Sequence, residues 1–336
     1  MARSYRQMAR LARRWALRGV RSRVQPHGLI LMYHRVDNSF LDPWHCCVSP
    51  ENFKAHISVL QRLAYVVPLQ DLLTKICNGK PRKPVVAITF DDGYVDNLLK
   101  AAPVLMQAGF PATVFVVTGW IGDTKVFWWD RLAWILLSFH ELPDGLELNT
   151  GGLSISWQNT AHASRNGQKL AARNILHQKL WSQLRLLDES ARNTLLEQLA
   201  AWSGVDNAPR RAGRPMNAPE LAQLNSMECF EIGAHTVTHP VLPSLPAEKK
   251  AAEIRNSLDD CERFTGCRPR TFAYPYGDLD QDTIDTTRAA GVMLACSTRE
   301  DLIWPGADTH ALPRVAVDDW SGPAFERWLR WYWMLS

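Results

Sequence analysis

Seven short, mostly continuous apolar runs set the tightest limit on how this chain can fold: residues 29–33, 85–90, 113–117, 230–234, 271–274, 292–295 and 312–317. A strand with one face in water alternates apolar and polar residues, whereas a continuous run has to be covered on both faces, as in a parallel sheet or barrel. Helix-like segments lie between the runs. Ser49-Pro50-Glu51 opens one toward residue 63, with Ser49 as N-cap and Pro50 at the first helical position. Another spans about 94–107 and stops at Gly109, and a third spans 247–264 and ends at Gly266, glycine being the favoured residue just past a helix. Strand and helix in alternation mean an α/β architecture.

The alternation lapses between residues 118 and 219. That stretch is Trp-rich at Phe127-Trp128-Trp129-Asp130-Arg131-Leu132-Ala133-Trp134, then polar, then helical over about 170–202, with one weak strand-like run, Leu153-Ser154-Ile155-Ser156-Trp157. The expected organisation is a barrel domain over 27–336 that carries a helical insertion at about 121–215. With 336 residues, 46% of them apolar, the chain can bury a full core.

Two of the runs end in groups that do chemistry. Thr89-Phe90-Asp91-Asp92-Gly93 places two adjacent carboxylates at the C-terminal end of a buried strand, where α/β barrels collect catalytic groups. Such a pair repels itself unless it binds a cation or shares a proton. The competing reading is a plain turn that caps the next helix. His235-Thr236-Val237-Thr238-His239-Pro240 follows the run 230–234, and two imidazoles four residues apart can face one cation. One carboxylate and two imidazoles leave positions open for water, whose pKa a metal lowers toward about 7. The second carboxylate is then free to deprotonate that water, which is metal-assisted hydrolysis of an acyl group. A third segment, Thr271-Phe272-Ala273-Tyr274-Pro275-Tyr276-Gly277, is a strand and constrained turn able to aim the Tyr276 N–H at a developing oxyanion.

Together these segments resemble the polysaccharide deacetylases of carbohydrate esterase family 4, over roughly residues 28–120 and 216–320. The resemblance implies a distorted (β/α)7 barrel. It makes Asp91 the general base, Asp92, His235 and His239 the ligands of a divalent metal, and the Tyr276 amide part of the oxyanion site. The implied substrate is an N-acetylated glycan, losing acetyl from an N-acetylhexosamine unit. Zinc suits these ligands best, and cobalt or nickel fit them too. The Tyr33-His34-Arg35 start resembles a subgroup associated with exopolysaccharide and cell-surface glycan synthesis.

Two departures stand out. Many members carry Arg where this chain has Ala273, so the usual partner of the base is missing, and the late leucine-x-histidine motif that supplies a general acid is not evident. Arg314 is the candidate replacement for the cation and His34 for the acid; the competing readings are a surface salt bridge for Arg314 and a structural, hydrogen-bonded role for His34. Two other functions fit parts of the pattern. A non-haem iron oxygenase also uses two histidines and a carboxylate, but its carboxylate usually sits beside the first histidine. A silent glycan-binding or scaffold protein would need no base beside a metal.

Charge is uneven. Eight arginines fall within the first 23 residues, and removing them from the 38 basic residues leaves 30 against 34 acidic ones, which argues against a nucleic-acid partner. On a helical wheel Arg3, Arg6, Arg10, Arg13, Arg14, Arg18 and Arg21 face away from Met8, Leu11, Ala12, Trp15 and Gly19. Residues 1–26 are therefore expected to form a basic amphipathic helix suited to peripheral contact with an anionic membrane. The aromatic segment 325–335 is a second interfacial candidate, or else a helix packed on the core. No signal-peptide pattern and no long apolar stretch are evident, and the seven cysteines follow no framework spacing. These features suggest a cytoplasmic protein with free thiols, peripheral on the inner membrane face if the N-terminal helix binds there.

Overall fold

A computed structural model describes residues 27–38, 41–78, 83–122, 126–138, 141–150, 153–158, 166–205 and 213–334. The expected amphipathic helix at 1–26 lies outside them. Twelve strands occur among these residues: β1 (Gly28–Tyr33), β2 (Arg35–Val36), β3 (Cys47–Val48), β4 (Tyr65–Val66), β5 (Val85–Phe90), β6 (Ala112–Val116), β7 (Gly145–Thr150), β8 (Leu153–Gln158), β9 (Phe230–Ala234), β10 (Thr271–Ala273), β11 (Leu294–Cys296) and β12 (Val315–Ala316).

All seven expected runs contribute strands to one parallel sheet in the order β11-β10-β9-β6-β5-β1-β12. β1 and β5 pair along their whole length, Gly28 opposite Val85 through Tyr33 opposite Phe90. The other edge of β5 is shared, β4 taking Val85 and Val86 and β6 taking Thr89 and Phe90. A single bridge, Cys296 to Leu312, links the two ends and curls the sheet into a distorted barrel. β12 is shorter than the run 312–317 because Pro313 has no N–H to extend the ladder.

Side-chain parity explains why the runs are continuous. Leu29, Leu31, Tyr33, Val86, Ile88 and Phe90 pack outward under the helices, while Ile30, Val85, Ala87, Phe115, Ala273 and Leu312 form a separate interior cluster. Both faces are dry, so neither parity can be polar until a strand reaches the rim.

The helix Pro50–Leu63 starts where expected, but Ser49 does not cap it through its side chain. Its N–H and hydroxyl both donate to Asp319, at 2.9 and 2.8 Å. The helix expected over 94–107 opens into a π turn at Asn97–Ala101 before the α-helix Ala102–Ala108. Pro103 supplies no N–H to the preceding turn, which widens instead. Gly109 and Gly266 end their helices at φ 67° and 75°.

The insertion is less helical than its sequence suggests. β7 and β8 form an antiparallel hairpin whose period-two pattern buries Leu146, Leu148 and Ile155. The segment 170–202 is two helices, Asn166–Leu184 and Glu189–Ser203. The second is capped by Asp188, which accepts the Ala191 N–H at 2.8 Å. These elements build their own core with Trp128, Leu132, Leu180 and Leu195, continuous with the barrel through Tyr94 and Val117.

The C-terminal helix Gly322–Met334 buries Phe325, Leu329 and Tyr332 in the main core, so this interfacial candidate takes the packed alternative. Among the described residues no helix is long and apolar enough to cross a membrane, and all seven cysteines are free.

His56 joins this helix to the barrel. Its ring stacks on Phe325 at 4.2 Å, with Nε2 2.6 Å from the Trp320 carbonyl oxygen and Nδ1 3.3 Å from the Tyr33 hydroxyl. Burial pushes its pKa from 6.5 down to about 4, against the pull of the Trp320 carbonyl. As pH falls below 6.5 the unfolded chain takes up a proton that the folded chain refuses, so stability is lost between pH 6.5 and 4, by up to roughly 3 kcal/mol. Urea unfolding should show wild type losing ground to His56→Gln across that window, with a constant difference above it.

Candidate active site

Strand parity carries Asp91 into the barrel mouth. Its N–H donates to the Tyr33 carbonyl at 3.0 Å, extending the β1–β5 ladder by one residue, so its side chain points inward like those of Val85, Ala87 and Thr89. Asp92 and Gly93 then adopt φ of 72° and 76°, which turns the chain and swings the Asp92 carboxylate toward β9. A Cβ at position 93 would lie 2.8 Å from the Val116 side chain, so only glycine fits there.

The two histidines sit on a loop clamped from behind. His235 extends β9 by donating its N–H to Val116 at 3.0 Å. Glu253, from the helix Ala247–Thr265, accepts the Val237 and Thr238 N–H groups, both at 2.9 Å, and the Thr238 hydroxyl at 2.7 Å. His235 Nδ1 lies 2.7 Å from the Ala273 carbonyl, so it carries the proton and leaves Nε2 as the ligand atom. Asp92 Oδ1 is 3.7 Å from His235 Nε2 and 3.6 Å from His239 Nε2, too far for hydrogen bonds. Ligand atoms about 2.0–2.2 Å from one tetrahedral ion sit roughly 3.3–3.6 Å apart, and with all three ligand atoms within 4.8 Å of one another this trio could hold a metal ion.

The charge states agree. Burial lowers the pKa of His235 to about 4, with Asp91 opposing, and holds His239 far below its usual value, so both imidazoles are neutral and ready to ligate. Burial and the neighbouring Asp91 carboxylate push the Asp92 pKa up, which is the environment a cation relieves.

Arg314 is not on the surface. It is fully buried, and its guanidinium meets Asp91 fork to fork at 2.6 and 2.7 Å, with further bonds to the Ser297 carbonyl at 3.0 Å and the Thr89 hydroxyl at 3.2 Å. Burial opposes the charge on Asp91, but Arg314 and then His235 outweigh it and bring its pKa to about 2. Arg314 reaches Asp91 from the start of β12, over the Phe115 ring at 5.4 Å. Phe115 and Ala273 share the interior cluster, and the cation beside Asp91 comes from the segment that leads into β12. His34 Nε2 stands 4.0 Å from Asp91, and burial lowers its pKa.

All seven expected site residues gather at one mouth. Asp91, Asp92, His34, His235, His239 and Tyr276 line a cavity of about 310 Å³, and Arg314 lies behind Asp91. Of the five described non-glycine residues with positive φ, His45, Asp92, His239 and Tyr276 line it too, and Thr236 sits between the histidines. Such conformations cost about 1–3 kcal/mol each and persist where the surroundings fix them. Tyr276 also donates its hydroxyl to the His239 carbonyl at 3.2 Å.

Trp44, Trp129, Trp181 and Arg185 also line the cavity, and sequence reasoning assigned them no role. The Trp-rich run was visible, but nothing in it told a core ring from a cavity wall. Trp129 packs 4.8 Å from His239 and is oriented by its Nε1–H bond to the Tyr94 hydroxyl at 2.7 Å, which in turn donates to Asp130 at 2.8 Å.

The polysaccharide deacetylase family model matches residues 78–295, well over half of the chain. The chain belongs to that family. YxkH of Bacillus subtilis, assigned by its name to the polysaccharide deacetylases, is 38% identical over 97 residues, 28% of this chain and 33% of YxkH. Chitin deacetylase 1 of Cryptococcus neoformans is 30% identical over 108 residues, 32% of this chain and 22% of that protein. The match thus spans a third or less of either relative. The fold agrees with the deacetylase PplD of Streptococcus pyogenes (TM-score 0.56, 16% identity, 90% of this chain and 98% of that one). It agrees equally with IcaB from Ammonifex degensii (TM-score 0.58, 19% identity, 91% and 98%).

Removing one partner of a buried ion pair strands the other. Arg314→Met should therefore lower unfolding free energy by about 3–5 kcal/mol, and Asp91→Asn added to it should recover part of the loss. Denaturant titration of both variants and the double variant measures this; additive losses would show that the pair does not act as a unit.

Proposed function

We propose that this protein removes acetyl groups hydrolytically from N-acetylhexosamine units of a glycan or lipid-linked glycan precursor. The observation that carries the reading is the junction of an ionised carboxylate, Asp91, with the Asp92, His235 and His239 trio at the mouth of one barrel. A divalent cation held by that trio, zinc on ligand type, would polarise the acetamide carbonyl and acidify water.

The chain's own groups supply the rest. Asp91, held ionised by Arg314, accepts the proton of the attacking water; its low pKa makes it a modest base but a ready donor afterwards. His34, with Nε2 4.0 Å from Asp91, would carry that proton to the departing amine nitrogen. The Tyr276 backbone N–H, turned by its φ of 60°, would donate to the oxyanion. The Tyr33-His34-Arg35 start supports a place in exopolysaccharide or cell-surface glycan synthesis, and the basic segment at 1–26 supports peripheral contact with an anionic inner-membrane face.

Acetate release from N-acetylated glycans tests the reaction. Metal-stripped protein should be inactive, zinc should restore it, and Asp91→Asn should lose about 10²–10⁴-fold in kcat. Tight zinc binding without acetate release from any glycan would favour a silent glycan-binding scaffold. Calorimetry should find one zinc site per chain, abolished in His235→Ala; retained tight binding in that variant would exclude the trio as the metal site.

A further inference from the structure

The cavity is walled by segments from several parts of the chain. Met32 comes from β1 and His34 from the residue just after it, Trp44, His45 and Cys46 from the turn between β2 and β3, Trp129, Trp181 and Arg185 from the insertion, and Thr298, Glu300 and Asp318 from the segments after β11 and β12. Two of these meet. The rings of Trp44 and Trp181 lie 4.5 Å apart, and Trp44 also touches His177, one turn earlier on the same insertion helix, at 5.7 Å.

Both sides of that contact are held firmly. The Asp42 carboxylate accepts the Cys46 and Cys47 N–H groups at 2.8 and 3.0 Å, and His45 takes φ 55° at the tip, so Trp44 projects from a tied turn. Trp181 is braced by Tyr276 at 5.5 Å and by the Arg185 guanidinium 5.2 Å above its ring. Arg185 is itself anchored to Asp278 at 3.0 Å.

An extended polymer needs a groove open at both ends. We infer that the Trp44–Trp181 contact closes one end, so that the site takes the terminal unit of a glycan and excludes interior units. The inference rests on the deacetylase reading above. A cavity of about 310 Å³ lies at the lower end of small-molecule sites, which run from roughly 300 to 1,000 Å³. Its lining suits a single sugar, with the indoles of Trp44, Trp129 and Trp181 for apolar contact and the oxygens of Thr298, Glu300 and Asp318 for its hydroxyls. The insertion is thereby a specificity element.

The test maps which unit loses acetyl. Oligomers of N-acetylglucosamine and of N-acetylgalactosamine, isotopically labelled at the reducing end, are treated with the zinc-loaded full chain and sequenced by tandem mass spectrometry. End recognition predicts that one end unit reacts at least about tenfold faster than any interior unit, and that Trp44→Ala narrows this ratio to about twofold. Interior units reacting as fast as the ends would overturn the inference and leave the reaction standing. An unchanged ratio in Trp44→Ala would overturn the role of the contact. Release from no oligomer would overturn the free-glycan form of the deacetylase reading, and this inference with it.

Discussion

A guanidinium and a carboxylate, both sealed inside the barrel, fix the arrangement of everything around them. Taking the charges of Arg314 and Asp91 out of water is expensive, and only a two-pronged contact with every remaining donor satisfied offsets it. Arg314 adds bonds to the Ser297 carbonyl and the Thr89 hydroxyl, so four of its five N–H groups are paired and β5, β12 and the segment after β11 are tied at one point. The same pair keeps Asp91 ionised in a setting where burial alone would protonate it. One interaction thus ties the strands together and sets the charge of Asp91.

Around that pair the chain accepts local strain. Asp92, Thr236, His239 and Tyr276 all hold left-handed backbone conformations, each enforced by something outside its own segment. Val116 leaves no room beside Gly93, Glu253 clamps the histidine loop, and Tyr276 is hydrogen-bonded to His239. Side chains held to this degree are preorganised, since the loops have little freedom left to lose.

The helical and hairpin segment between β6 and β9 shapes the mouth of the barrel from outside the sheet. It has its own core, so its packing is largely independent of the sheet, yet it presents Trp129 to His239 and Trp181 to Trp44. Tyr94 links the two bodies, lying two residues after Asp92 and bonded to both Trp129 and Asp130.

How much of this was legible in the sequence depends on the range of the interaction. Continuous apolar runs fixed the parallel sheet because a strand dry on both faces has few other places to go, and Asp91-Asp92 and His235-x-x-x-His239 announced the site because their spacing within a segment is short. The hairpin of β7 and β8, the break before Asp188 and the π turn at Asn97 were harder to see, each turning on one or two residues within a longer pattern. Arg314 was only one candidate until burial and geometry excluded the surface, since it meets Asp91 across 223 residues of chain. Trp44 and Trp181 gave no local sign of meeting at all. By itself, then, the sequence determined the architecture and named the Asp92, His235 and His239 group that the fold brings together, through periodicity and short-range spacing. The partner of the base and the walls of the cavity were decided by tertiary structure alone, because contacts between distant segments leave no pattern in either one.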